Sequence, residues 1–105
     1  MPCNSTRLLA GSLLIASLVS VAHAADADHG ETLARRWCAA CHIVAPDQRS
    51  GADNAPSFVS VARRPDFSPA KLSSFLRDPH PKMPNMELSR GEADDIAAYI
   101  AGLGR

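Results

Sequence analysis

Two cysteines and a histidine stand in this sequence at a spacing that suits one particular chemistry. Cys38 and Cys41 are separated by two alanines, and His42 follows directly. On a helical turn, two thiols three positions apart can add to the two vinyl groups along one edge of a porphyrin. The histidine then lies beneath the iron as its proximal ligand. This C-x-x-C-H run therefore predicts one covalently attached c-type haem.

Other uses of a C-x-x-C pair fit the rest of the sequence less well. A redox-active disulfide of this spacing is typical of a strand–helix–strand unit, and the sequence has no strand pattern. A structural zinc site needs four ligands. The third cysteine in the chain, Cys3, stands alone near the N-terminus, so there is no second cysteine pair. Haem attachment is the interpretation that the residues favour.

A second iron ligand is expected from the segment 79–86, which contains three prolines. Proline excludes regular helix, so the segment predicts a loop between helices. Three of its side chains can bind iron, namely His80, Met83 and Met86. Methionine is commonly a filler of gaps in a core, but two methionines in such a loop make poor core. A thioether ligand would favour ferrous iron and raise the reduction potential.

The first residues predict an export signal that is removed from the folded domain. Arg7 supplies a positive charge, residues 8–21 form an apolar run, and Ala22-His23-Ala24 has the small-x-small pattern that signal peptidase cuts. The apolar run is shorter than the roughly 20 residues of a membrane span. We expect a cleaved signal peptide at 1–24 and a mature domain at 25–105. A retained N-terminal anchor is the alternative.

Composition and charge argue against one function of the mature domain and bear on how it folds. Without Arg7, 10 of the 11 basic residues remain against 11 acidic ones. A near-neutral balance argues against nucleic-acid binding, which needs clustered positive charge. A domain of this size buries a small share of its surface and often needs a staple such as disulfides or a bound metal group. Because aromatic residues are also few, folding around a large apolar group is expected.

The helical periodicity of the sequence predicts an all-α domain. A first helix is expected to begin at Asp28, with Glu31 reaching back to its start, and to run into Cys38. A long loop, 43–56, is expected either to wrap another group or to be disordered. A short helical turn is expected at 57–63. The predicted inward side chains are Leu33, Ala34 and Trp37 in the first helix and Phe58 and Val61 in the short turn.

Two further helices are predicted in the second half of the chain. Ser68 and Pro69 are typical of a helix start, and Asp78 should end that helix. The last helix is expected at 89–103, where Ser89 and Glu92 form a capping box. The predicted buried positions are Leu72, Phe75 and Leu76 in the third helix and Ala93, Ile96, Ala97 and Ile100 in the last.

With this motif and these helices, the mature chain resembles the class I c-type cytochromes over nearly all of 25–105. The resemblance implies an all-α, cytochrome c-like fold with the covalent haem in its core. It also implies a glycine in the first helix, which is Gly30 here. A proline in the following loop offers its carbonyl to the proximal histidine in that family, and Pro56 stands at this position relative to His42.

The resemblance further implies that the first and last helices cross. Gly30 on one side and Ile96 and Tyr99 on the other should make the contact. The sequence departs from the family at Ala34, where an aromatic residue is common. Either the helices cross more closely here, or Trp37 helps to fill the gap. The residues expected in the haem pocket or in helix packing are Trp37, Phe58 and Tyr99.

The same resemblance favours one of the three candidate iron ligands. In the family the ligand methionine commonly precedes a proline and lies about four turns before an aromatic residue of the last helix. Met83 precedes Pro84, and Tyr99 follows sixteen residues later. Met86 would lie three residues too close. Met83 is therefore the expected distal ligand, with Met86 and His80 as alternatives.

If protein side chains fill both axial positions of the iron, no coordination position remains for a substrate. The resemblance therefore implies outer-sphere transfer of single electrons by a non-enzymatic carrier. We expect a periplasmic protein, monomeric rather than assembled, whose partners are redox proteins such as a dehydrogenase, reductase or oxidase. The alternative is a small cytochrome subunit held in a periplasmic oxidoreductase complex. A sensor or peroxidase would need a five-coordinate iron.

Overall fold

The structure, a computed structural model, describes residues 23–78 and 82–105. This part of the chain contains four α-helices and no β-strand. The helices are α1 (Ala27–Trp37), α2 (Phe58–Ala62), α3 (Pro69–Arg77) and α4 (Arg90–Leu103). The all-α prediction is confirmed. Most of the predicted signal segment, 1–22, and the candidate ligand His80 fall outside the described residues. None of the four helices has both the length and the apolar content to cross a lipid bilayer.

The start of α1 differs from the prediction. Asp26, not Asp28, is the N-cap, and its side chain accepts a hydrogen bond from the His29 N–H at 3.0 Å. Both aspartates have the same capping chemistry, and the earlier one extends α1 by about half a turn. Asp28 lies in the first turn of α1, where its negative charge is favourable near the helix N-terminus. Glu31 pairs with Arg35 one turn further along.

The other helix starts are confirmed as predicted, because each depends on a hydrogen bond within one turn. Ser57 caps α2, and Ser68 caps α3 with Pro69 in its first turn. Ser89 and Glu92 form both hydrogen bonds of the capping box at the start of α4. Each cap satisfies backbone N–H groups that the helix itself leaves without partners.

α1 and α4 cross at Gly30, and this crossing forms the centre of the core. A Cβ atom built on Gly30 would overlap the backbone carbonyl of Asp95 and would lie 2.9 Å from the nitrogen of Ile96. Only glycine allows the two backbones to approach so closely. Ala34 and Ile96 are completely buried. Around them lie the other residues of the buried cluster: Leu33, Val44, Ala45, Phe58, Tyr99 and Ile100.

Trp37 does not fill the space beside Ala34. The Trp37 side chain is 44% exposed, and the Arg36 guanidinium lies 4.8 Å from the centre of its ring. The prediction that Trp37 shares the inward face of α1 is therefore wrong. Of the two explanations for the small residue at position 34, the close helix crossing at Gly30 is the one that remains.

Phe75 is the second position where the predicted burial is wrong. Its side chain is 50% exposed, whereas Ser73 is buried and donates a hydrogen bond to Asp94 of α4. At about 100° per residue, Phe75 lies on the opposite side of α3 from Ser73. α3 thus presents its polar Ser73 to α4, while Leu72 and Leu76 pack against the core as predicted.

A polar contact joins the start of α1 to the middle of α4 beside the Gly30 crossing. One carboxylate oxygen of Asp95 accepts from the Asp26 N–H at 2.7 Å, and the other lies 2.7 Å from His29 Nδ1. The hydrogen bond to Asp95, aided by the charges of Asp26 and Glu92, raises the pKa of His29 above its ordinary 6.5. Desolvation opposes the shift at Asp95, but the hydrogen bonds from His29 and Asp26 hold the pKa of that carboxyl below its usual value.

His29→Gln is therefore expected to lower stability in a pH-dependent way. Because the folded state raises the His29 pKa, the stabilisation is fully present below about pH 6.5 and is lost as pH rises through the folded pKa. The wild type should melt above the variant at pH 5.5, and the difference should shrink by pH 8.5. Thermal unfolding of the haem-loaded proteins, followed by circular dichroism, measures it. A pH-independent difference would contradict the pairing, and Asp28→Asn, a charge change in the same turn, serves as control.

Candidate haem-attachment site

The C-x-x-C-H run forms a tight turn at the end of α1. Cys38 is the C-cap of α1, and its N–H donates to the carbonyl of Ala34 at 2.9 Å. The carbonyl of Cys38 then accepts from the N–H groups of Cys41 at 3.2 Å and His42 at 2.9 Å. These hydrogen bonds bring both thiols and the imidazole to one turn. Both thiols are free, with Cys38 half-buried and Cys41 exposed.

The imidazole of His42 is oriented by a backbone carbonyl. His42 Nδ1 lies 2.6 Å from the carbonyl oxygen of Pro56. A carbonyl oxygen only accepts, so Nδ1 carries the proton and donates, which leaves Nε2 as the nitrogen able to bind a metal. Metal-binding histidines are commonly oriented in this way by a partner on their other nitrogen. The Phe58 ring packs against the imidazole, with 5.4 Å between centroids.

The chemistry of these donors suits a haem better than a bare metal ion or a redox disulfide. Burial raises the pKa of the Cys38 thiol to about 11, whereas thiols that exchange disulfides have lowered pKa values. Within the ranges 23–78 and 82–105, no group of three or more His, Cys, Asp or Glu side chains is placed to hold a metal ion. Two thiols and one oriented imidazole fit a porphyrin that brings its own four nitrogen ligands.

Apolar side chains next to these donors fit a large apolar group. Ile43, which directly follows His42, is exposed, as is Phe75 on the helix that precedes the methionine segment. Exposed large apolar side chains on a small domain commonly mark a surface that another group covers. The exposed side chains of Ile43 and Phe75 therefore fit a large apolar group attached at the C-x-x-C-H turn.

The loop after His42 wraps back onto the C-x-x-C-H turn. The Ala52 N–H donates to the carbonyl of Cys41 at 2.7 Å, and the Phe58 N–H donates to that of Ile43 at 3.0 Å. A Cβ on Gly51 would lie 2.7 Å from the same Cys41 oxygen, so this approach requires glycine. Of the two alternatives for the loop 43–56, disorder is excluded, because these hydrogen bonds fold the loop back over the attachment turn.

Tyr99 connects α4 to this loop. Its ring is buried in the crossing of α1 and α4, and its hydroxyl donates to the carbonyl of Val44 at 2.6 Å. Burial raises the pKa of the Tyr99 hydroxyl, so it stays a donor over the working pH range. Tyr99 thus belongs to the buried cluster of the core. Its hydroxyl contact was not predicted, because it depends on the path of a loop 55 positions away in the chain.

Gln48 is a residue of the site that the sequence did not single out. Its side-chain amide forms hydrogen bonds with backbone groups on both sides of His42. A lone glutamine in a loop rich in turn-forming residues is usually solvated, so no signal in the sequence identified it. It forms four hydrogen bonds with backbone groups of this part of the chain.

The two candidate methionine ligands lie on the segment that leads into α4. Met83 and Met86 are both half-buried. The Asn85 side chain accepts from the Glu87 N–H at 2.9 Å, and Glu87 has a left-handed backbone with φ of 52°. A tight turn therefore lies just before α4, with Met83 ahead of the turn and Met86 within it. The choice of ligand rests on the sequence pattern.

Comparison with known proteins gives two matches. Residues 25–100 match the family described as cytochrome c oxidase, cbb3-type, subunit III. The chain is also 63% identical over 91 residues to cytochrome c-552 of Bradyrhizobium diazoefficiens, an alignment that covers 87% of this chain and 88% of that protein. No solved structure matches. The family match contains the C-x-x-C-H run and helices α1 to α3, and it ends within α4.

Proposed function

We propose that this chain, which belongs to the monohaem c-type cytochromes, passes single electrons between partner proteins while His42 and Met83 hold its haem iron. Membership of the family means that the haem c is covalently bound, and Cys38 and Cys41 are the cysteines of its attachment motif. The observation that carries the assignment of His42 is the 2.6 Å hydrogen bond from its Nδ1 to Pro56, whereas the assignment of Met83 rests on its place in the sequence before Pro84. The hydrogen bond leaves Nε2 of the His42 ring for the iron.

Each of these residues has a separate task in electron transfer. When bound, the haem supplies a one-electron couple between ferric and ferrous iron. Thioether bonds from Cys38 and Cys41 keep it in place through repeated cycles. The Pro56 carbonyl makes the His42 imidazole more electron-donating, which stabilises the ferric state, whereas the Met83 thioether stabilises the ferrous state. The balance of the two ligands sets the potential, and neither leaves room for a substrate.

The location that we propose for the carrier is the periplasm. Residues 1–24 would be removed at Ala22-His23-Ala24, which leaves 25–105 as the mature domain. Thioether attachment takes place outside the cytoplasm, so a C-x-x-C-H protein needs an export signal. The match to the family begins at residue 25, which supports this boundary.

A cytochrome held in an oxidoreductase complex is the second candidate. The description of the matching family names a subunit of a cytochrome oxidase, and this observation favours the second candidate. The cytochrome c-552 relative is named only as a cytochrome and is of similar length, which favours the free carrier. Purification from the native membrane and periplasmic fractions separates the two. A free carrier elutes as a small monomer, whereas a subunit elutes with larger chains.

The function is tested on the exported, haem-loaded protein. We expect a mass equal to residues 25–105 plus one haem, uptake of one electron per chain in a reductive titration, and no binding of carbon monoxide by the reduced protein at neutral pH. Cys41→Ser should leave one unsaturated vinyl group and move the ferrous absorption band to longer wavelength. Cys3→Ser, in the predicted signal peptide, should change none of these. Ready binding of carbon monoxide by the wild type would contradict a six-coordinate carrier.

A further inference from the structure

Gln48 is a half-buried side chain whose amide binds four backbone groups around the C-x-x-C-H turn. Its Oε1 accepts from the Val44 N–H at 2.9 Å. Its Nε2 donates towards the carbonyls of His42 at 2.7 Å, Ser50 at 2.9 Å and Ala39 at 3.1 Å. Nε2 has two hydrogens for these three acceptors, so at least one hydrogen is shared. Both hydrogens of the Gln48 amide are therefore used, and its oxygen accepts one hydrogen bond.

The backbone groups that Gln48 binds lie on both sides of the predicted iron ligand. Ala39 stands between the two cysteines, and His42 and Val44 belong to the chain that leaves the motif. One side chain thus joins the middle of the attachment turn to its exit. Removing the amide would leave partly buried carbonyls without a donor, which is unfavourable unless the backbone moves.

The hydrogen bonds of Gln48 continue into α4. The Val44 carbonyl accepts from the Tyr99 hydroxyl at 2.6 Å, so the peptide groups of Val44 are held on one side by α4 and on the other by Gln48. His42 is held at two points as well, through its carbonyl by Gln48 and through its Nδ1 by Pro56. Among the described residues, only the Gln48 side chain bonds both to the carbonyl of His42 and to the N–H of Val44.

We propose that Gln48 is the positioning residue for the proximal ligand and that, through His42, it helps to set the reduction potential. By fixing the His42 backbone, Gln48 keeps Nδ1 in its short hydrogen bond to the Pro56 carbonyl. This inference rests on the proposed function, because it takes His42 as an iron ligand. Gln48 itself touches no reacting atom, and its effect is exerted through the orientation and donor strength of the imidazole.

Weakening the hydrogen bonds of Gln48 is expected to change how strongly the His42 imidazole donates electrons to the iron. A weaker Nδ1–H···O bond makes the imidazole a poorer donor, so ferric iron loses stabilisation and the potential rises. The apolar variant Gln48→Leu, of similar size, is expected to shift the equilibrium constant for reduction by about tenfold, the lower end of the effects known for groups that orient metal ligands. For a one-electron couple a tenfold shift corresponds to about 59 mV.

The experiment uses the haem-loaded protein and two readouts. The potential is measured by titration with mediators, and the His42 Nδ1–H resonance is followed by NMR in the reduced, diamagnetic state. In Gln48→Leu the potential should rise, and this proton should move upfield and exchange faster with solvent. Gln48→Glu, the milder second variant, is compared by the proton resonance alone, because its charge itself changes the potential. It lacks the amide donor, so the resonance should again move upfield.

Asp47→Asn is the matched control, since Asp47 pairs with Arg35 at 2.9 Å and fastens the same loop to α1 without touching the attachment turn. It is compared by the proton resonance alone, because it too changes a charge, and it should leave that resonance unchanged. A Gln48→Leu protein with a lower melting temperature but the wild-type potential and resonance would overturn the proposal. Gln48 would then stabilise the loop without positioning His42. Failure of the proposed function looks different: the wild type itself would lack His42 ring signals shifted by the haem.

Discussion

Gly30→Ala is expected to destabilise the protein by about 3 kcal/mol or more, at the upper end of what overpacking costs. The new Cβ would overlap the backbone of Asp95 and lie 2.9 Å from the Ile96 nitrogen. Backbone atoms inside α4 cannot turn aside as the end of a flexible side chain can, so α1 and α4 must separate. Separation exposes the core at Ala34 and Ile96, which are completely buried. Since small domains are stable by only about 5–15 kcal/mol, this is a large loss.

The control for this prediction is a second glycine-to-alanine change in a helix that has open space around it. Gly102 lies in the last turn of α4 with nothing within 4 Å of a Cβ position. Gly102→Ala should be neutral or stabilising by up to about 1 kcal/mol, because alanine is the better helix former. Denaturant unfolding of the ferric proteins, followed by circular dichroism, gives both values. Equal stability of Gly30→Ala and wild type would mean that the two helices do not approach closely.

The parts of the molecule that the sequence predicted correctly depend on short-range chemistry or on a strict motif. The caps at Ser68 and Ser89 need only a hydroxyl three residues before a backbone N–H. The contact of His42 with Pro56 was implied by the family resemblance, which places a proline after the motif. In each case the partner is near in sequence or fixed by the motif, so a pattern of residues is enough.

The wrong predictions concern features that depend on packing between residues far apart in the sequence. Asp26 and Asp28 both suit an N-cap, and Asp26 is further held by its contact with Asp95 of α4. Trp37 and Phe75 have the hydrophobicity of core residues, but the sides of α1 and α3 that face α4 leave them exposed. Gln48 gains its role from a loop path that no local pattern encodes.

Met83→Ala is expected to have the largest effect on the iron itself. The variant should lose the weak ferric band near the red end of the spectrum that accompanies methionine ligation. Its potential should fall by on the order of 0.1 V, because the thioether that favours ferrous iron is gone; axial ligands tune this potential over roughly 0.8 V. An open axial position should also let the reduced variant bind carbon monoxide. Optical spectra in both redox states and a mediator titration measure these changes.

Met86→Ala is the matched control, since it removes the same side chain three residues later. Met86 lies within the turn that Asn85 closes on Glu87, whereas Met83 precedes that turn and the proline that follows it. Met86→Ala should therefore keep the red band and the potential close to wild type. A band that survives in Met83→Ala but is lost in Met86→Ala would move the assignment to Met86. If the wild type lacks the band, the distal ligand is His80 or the position is open, and carbon monoxide binding by the reduced wild type separates these two outcomes.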